Sequence, residues 1–108
     1  MSERAACVQS ELLRHSARDI AEAGRELGRF DSRPWLTGSL TAPSAVVMTT
    51  QDEAVPPYKQ RALAEAARAE VFEVPLHHIE LVLRADVYNP ALLHALAAVR
   101  AREGVKAA

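Results

Sequence analysis

The sequence predicts an α/β fold: two short parallel strands joined by a crossover helix, with helices before them and a last helix after. Three observations carry that prediction. SAVVMTT, residues 44–50, is a continuous run dominated by apolar and β-branched residues, the pattern of a strand covered on both faces. EVFEV, residues 70–74, alternates polar and apolar positions and reads as a second strand. Between them lie Pro56, Pro57 and a stretch rich in Ala, Leu, Glu, Arg and Gln, all but the prolines good helix formers. A strand, a crossover of about a dozen residues and a further strand make a right-handed parallel βαβ unit.

Taken in order, residues 1–29 read as helix, with Val8, Leu12, Leu13, Ile20, Ala23 and Leu27 spaced near three, four and seven. Glu11 with Arg14, and Arg18 with Glu22, stand at distances that allow pairing on a helix surface. Ser16 is placed to cap a second helix, with Asp19 at its third position. Gly28 offers a stop, so two short helices or one bent helix should end near Arg29. Residues 30–43 form a connector with Pro34, Pro43 and the only Trp, and Trp35 and Leu36 are expected to anchor it to a core.

Residues 44–102 then hold the βαβ unit and a last helix. Pro56 and Pro57 open the crossover helix, where a missing N–H costs nothing. Tyr58 to Ala69 continues it, with Leu63, Ala66 and Ala67 expected on the inner face. PLHHIELVLRADVY is irregular or briefly helical, and Asn89 is expected to cap a last helix that starts at Pro90. Leu92, Leu93, Leu96 and Val99 mark its expected buried stripe, Arg100 and Arg102 suit its carboxyl end, and residues 103–108 are expected to fray.

Composition narrows the function classes. The chain has 108 residues, 49% hydrophobic and 25% charged, which suits one globular domain. Thirteen Lys and Arg against 14 Asp and Glu leave a formal net charge of −1, so no basic patch points to nucleic acid. Cys7 is the only cysteine, which rules out an internal disulfide and suits a reducing, cytoplasmic setting. The first residues lack a signal-peptide core, and no apolar run approaches the roughly 18–20 residues of a membrane span.

The chemistry lies after the strands. Ligands of an open parallel sheet collect at the carboxyl ends of its strands. Asp52 follows the first strand, and His77 and His78 follow the second. Two parallel neighbours put both loops on one edge, so an aspartate–imidazole contact is within reach. An Asp that accepts the imidazole Nδ1–H fixes the tautomer and leaves Nε2 as a base. Bland readings compete: an Asp between a strand and prolines is often a turn residue, and adjacent histidines on a loop are often solvated. A metal held by His77, His78 and Glu80 is disfavoured, because neighbouring side chains on extended backbone point to opposite sides. No cofactor motif is present. His15 and His94 read as surface or partly buried polar residues, and Cys7 as an ordinary small apolar one.

The stretch SRPWLTGSLTAPSAVVMTTQDEAVPPYKQRALAEAARAEVFEVPLHHIELVL resembles the carboxyl-terminal part of an α/β-hydrolase, over about residues 30–102. In that family the triad acid follows the penultimate core strand, frequently as an Asp shortly before a Val-Pro pair that opens a helix; the match is TTQDEAVPP. The triad histidine follows the last core strand, and VFEVPLHHIE matches with His78 rather than His77 in that place. Residues 1–29 are similar to helices of the lid insertion. The resemblance implies a partial hydrolase fold with Asp52 and His78 as catalytic residues.

One part of the family pattern is missing. The nucleophile sits in a Gly-x-nucleophile-x-Gly elbow between a strand and a helix, and none occurs here. Ser39 lies in TGSLT with one glycine on the wrong side, and Ser10, Ser16 and Ser44 lie on helices or at a strand start. The resemblance therefore implies a hydrolase fragment, esterase- or lipase-like, that is inactive alone: a truncated frame, a remnant or half of a split enzyme. An ester substrate would bind only once the site is completed. The expected partner is a complementary half or a second copy. The alternatives are a non-catalytic α/β module that pairs through its exposed sheet edge, and a small domain that binds a ligand near Asp52 and His78.

Overall fold

The computed structural model describes residues 2–107. It divides into two compact units, Met1–Asp31 and Ser32–Ala108. The first holds helices α1, Glu3–Leu13, and α2, Ala17–Arg29. Each starts on a serine whose hydroxyl accepts a backbone N–H of the first turn: Ser2 from Ala5 and Ser16 from Asp19, both at 3.1 Å. Ser16 therefore caps a second helix as expected, and the segment forms two short helices rather than one bent one. Gly28 lies inside α2, and the helix ends where Phe30 turns to extended backbone. Exposed pairs of Arg14 with Glu11, Arg18 with Glu22 and Arg29 with Glu26 line the surface, each worth about 0.3–0.5 kcal/mol. Val8, Leu12, Leu13, Ile20 and Leu27 are all exposed.

The second unit is mixed α/β and mostly helical. Its elements are α3, Arg33–Ser39; β1, Ala45–Thr49; α4, Pro57–Ala67; β2, Glu70–Val74; α5, Glu80–Leu83; and α6, Ala85–Ala107. Strands β1 and β2 pair in parallel, from Ala45 opposite Glu70 to Thr49 opposite Val74, and form a two-stranded sheet among the described residues. Pro56 caps α4 and Pro57 takes its first position. Arg68, left-handed at φ 52°, ends it and turns the chain into β2.

Helices α4 and α6 both pack on both strands and, among the described residues, do not touch each other. They therefore cover opposite faces of the sheet. Met48, Ala64, Val74, Leu76 and Ala95 form the buried core. The alanines on α4 and α6 let both helices approach the sheet closely.

Several expected details change. The connector contains α3, with Pro34 in its first turn, where a missing donor costs no hydrogen bond. Trp35 is 55% exposed and does not anchor the segment. Leu36 and Leu40, one helical turn apart, are half-buried, as are Ser32 and Pro43, and Thr37 donates its hydroxyl to the Ala66 carbonyl of α4 at 3.2 Å. On α4 the buried residue is Ala64, while Leu63 is exposed.

The last helix starts at Ala85, so Asn89 and Pro90 lie within it. Arg84 provides the start: its carbonyl accepts from Val87 and Tyr88 at 3.0 and 2.9 Å, and its guanidinium pairs with Asp86 at 3.1 Å. The inward stripe runs through the buried Ala95 and the half-buried Ala91, Leu92, Ala98 and Val99, leaving Leu93 and Leu96 exposed. The residues expected to fray continue α6 as far as Ala107, and Ala108 lies outside the described residues.

Candidate active site

Beyond their last paired residues, the chains leaving β1 and β2 stay joined. Thr50 N–H donates to the Val74 carbonyl at 2.9 Å, and Gln51 N–H to the Leu76 carbonyl at 3.2 Å. The Thr50 hydroxyl adds a bond to the Val74 carbonyl at 3.2 Å. Leu76, buried among the core residues, fixes the second loop from below. Its N–H closes a tight turn onto Val74 at 2.9 Å. His77 and His78 follow at once. Glu80, at the start of α5, accepts the His77 N–H at 2.8 Å and holds this short loop against the helix.

Asp52 is 5% exposed, and its two oxygens have separate tasks. Oδ1 accepts the N–H groups of Ala54 and Val55 at 2.9 and 2.8 Å, which shapes the turn into Pro56 and Pro57. Oδ2 accepts the Thr49 hydroxyl at 2.8 Å and lies 2.9 Å from His78 Nδ1. The turn reading and the imidazole reading of Asp52 therefore both hold, one for each oxygen.

Burial opposes ionisation of this carboxyl, but the Val55 N–H, the His78 ring and the Thr49 hydroxyl together outweigh it. The pKa of Asp52 falls from the ordinary 3.8 to about 2. At neutral pH Asp52 is a carboxylate and only accepts, so the short contact requires the proton on His78 Nδ1. In the neutral ring Nε2 then carries the lone pair. The His78 side chain is 52% exposed, so the imidazole is open to a reactant while its acid is shielded.

His77 takes no part in this contact. It is exposed, and its Nε2 stands 4.0 Å from Glu80 Oε1. Among the described residues no group of three or more His, Cys, Asp and Glu side chains is placed to hold a metal ion. Ser44 precedes β1, at the opposite end of the strand from Asp52, and bonds the Ala42 carbonyl. Ser39 bonds the Trp35 carbonyl within α3. Neither offers a hydroxyl to His78. In the first unit Ser16 caps α2, and Ser10, His15 and Cys7 are exposed; His94 on α6 is exposed as well.

Sequence reasoning passed over Thr49 and Gln60. The Gln60 carboxamide, on α4, accepts the Thr49 N–H at 3.0 Å, and the two N–H groups of its Nε2 serve three acceptors, the Thr49 carbonyl, the Thr49 hydroxyl and the Val55 carbonyl at 3.1, 2.9 and 2.7 Å, so one N–H is shared. The sequence pattern, which favours Leu63 as an inward position, does not mark it: Gln60 stands one turn before Ala64, the buried residue of α4.

The depressed pKa ties stability to pH. Between 3.8 and about 2 the unfolded chain binds more protons at this position than the folded one. The stabilisation from ionised Asp52 is thus complete above roughly pH 4 and lost as pH falls towards 2. Urea unfolding followed by circular dichroism should show a lower midpoint at pH 2.5 than at pH 5. Asp52→Asn should flatten that decline in part.

Comparison with family models, with curated proteins and with solved structures finds no match to this chain. No helix among the described residues is long and apolar enough to cross a membrane.

Proposed function

We propose that this chain supplies the acid and the histidine of an α/β-hydrolase-type triad, with the nucleophile and oxyanion donors provided from outside these 108 residues. The reading rests on the 2.9 Å contact between Asp52 Oδ2 and His78 Nδ1, made across the carboxyl ends of two adjacent parallel strands. Asp52 orients the ring by accepting its Nδ1–H. Nε2 takes a proton from a hydroxyl nucleophile as it attacks an acyl carbon, then returns it to the leaving group. The substrate class is esters or related acyl compounds. A cytoplasmic setting accompanies the proposal.

A base and its orienter form no acyl-enzyme without a nucleophile, and the stabilisation of a developing oxyanion is a large share of such catalysis. The isolated chain should therefore release no p-nitrophenol from p-nitrophenyl butyrate above the buffer rate. The DNA around its reading frame, or a neighbouring gene, should encode a strand–Gly-x-Ser-x-Gly–helix segment. Joined to that segment or co-expressed with it, the chain should give ester turnover. Turnover by the isolated chain that vanishes in His78→Ala would overturn the proposal, as would a joined protein that is active without His78.

A second reading is a non-catalytic module that pairs with a partner through its sheet edge. The two-stranded sheet and the exposed Trp35, Leu93 and Leu96 support it. A stable complex with a protein that lacks an elbow would favour this reading over the first.

A further inference from the structure

We propose that Thr49 and Gln60 are positioning residues that hold Asp52 Oδ2 on the His78 imidazole; this role rests on the reading of Asp52 and His78 as an acid–base pair. The Thr49 hydroxyl has one proton and is nearly enclosed, the residue being 3% exposed. Gln60 Nε2, a donor, faces that hydroxyl at 2.9 Å, so the hydroxyl cannot turn its proton towards the amide. That proton is left to Asp52 Oδ2 at 2.8 Å. The amide thereby sets the direction of the hydroxyl, and the hydroxyl sets the carboxylate.

The orientation of the Gln60 amide is fixed in turn. Oε1 must face the Thr49 N–H, a donor, and Nε2 must face the Thr49 and Val55 carbonyls, which are acceptors. A flipped amide would set donor against donor and acceptor against acceptor. Val55 is also a residue whose N–H binds Asp52 Oδ1. Gln60 therefore holds a partner of each carboxylate oxygen, Thr49 for Oδ2 and Val55 for Oδ1.

The backbone explains why a glutamine fits here. Thr50 N–H points to β2, so the N–H and C=O of Thr49 point to the other edge of β1, because successive residues of a strand alternate. The Gln60 carboxamide meets both groups as a neighbouring peptide would. The crossover helix thus closes the end of the strand edge and aligns the acid with one side chain. Rotation of the carboxylate away from His78 requires breaking this chain of bonds.

The test is NMR of the full chain, with two readouts: the Asp52 13Cγ titration and the 15N shifts of the neutral His78 ring. Thr49→Val removes the donor at nearly constant shape. It should raise the Asp52 midpoint by about one pH unit and reduce the share of the Nδ1–H tautomer, and Thr49→Ser should restore both. Gln60→Met should shift both readouts in the same direction by less, and it alone decides the matter if Thr49→Val does not fold. Unchanged readouts in the folded variants, or no restoration by serine, would overturn the positioning role. If Asp52→Asn also leaves the ring unchanged, the acid–base pair itself fails; if only the Thr49 and Gln60 variants are silent, the pair stands without them.

Discussion

If the proposed function holds, His78→Ala in a protein that joins this chain to a nucleophile segment is expected to lower kcat for p-nitrophenyl butyrate by about 10⁴–10⁶-fold. In the proposed function the imidazole takes and returns the proton, since Asp52 is a carboxylate bound on both oxygens. His78 is half exposed, so its removal leaves the core of Met48, Val74 and Leu76 and the folding transition nearly unchanged. His77→Ala, one residue away and turned to Glu80, should leave kcat close to that of the parent. Equal losses from both substitutions would assign the effect to the loop rather than to His78.

The second large effect separates the two oxygens of Asp52. Asp52→Asn keeps an acceptor for the Ala54 and Val55 N–H groups but sets an amide against His78 Nδ1. The ring must then accept there and carry its proton on Nε2, which removes the base. A fall of about 10⁴-fold in kcat, with a folding midpoint at neutral pH below the parent's because the ionised carboxylate's stabilisation is gone, is the expected result. Asp52→Ala should match that loss of activity and lower the midpoint further, because it leaves two backbone donors and the buried Thr49 hydroxyl without their acceptor. Thermal unfolding by circular dichroism, run beside the kinetic assay, distinguishes the two variants. An active Asp52→Asn protein would reduce Asp52 to a turn residue.

The site was more legible in the sequence than the packing around it. Asp52 and His78 could be paired because strand ends are marked by composition, and parallel neighbours joined by one helix deliver their loops to one edge. The caps also showed themselves: Ser16 and the Pro56–Pro57 pair stand where helices begin. The phase of the helices was harder. Hydrophobic weight favours Leu63, Leu93 and Leu96, but helices lying close on a sheet put small residues at the contact, so Ala64 and Ala95 are buried and the leucines flank them. Proline misled in two ways. Pro34 lies inside a short helix and Pro90 inside a long one, whereas pattern reading treats each as a boundary. In the sequence Thr49 and Gln60 look like an ordinary strand residue and a helix former, because nothing local shows that an amide on α4 reaches back to the last residue of β1.

The most direct measurement is the 15N spectrum of the His78 ring in the isolated chain, at a pH where the ring is neutral and Asp52 is ionised. A neutral imidazole with its proton on Nδ1, converted to the Nε2–H form by Asp52→Asn, is the expected result. A ring that carries its proton on Nε2 in the parent, or that does not respond to Asp52→Asn, would contradict the pairing on which the proposed function rests.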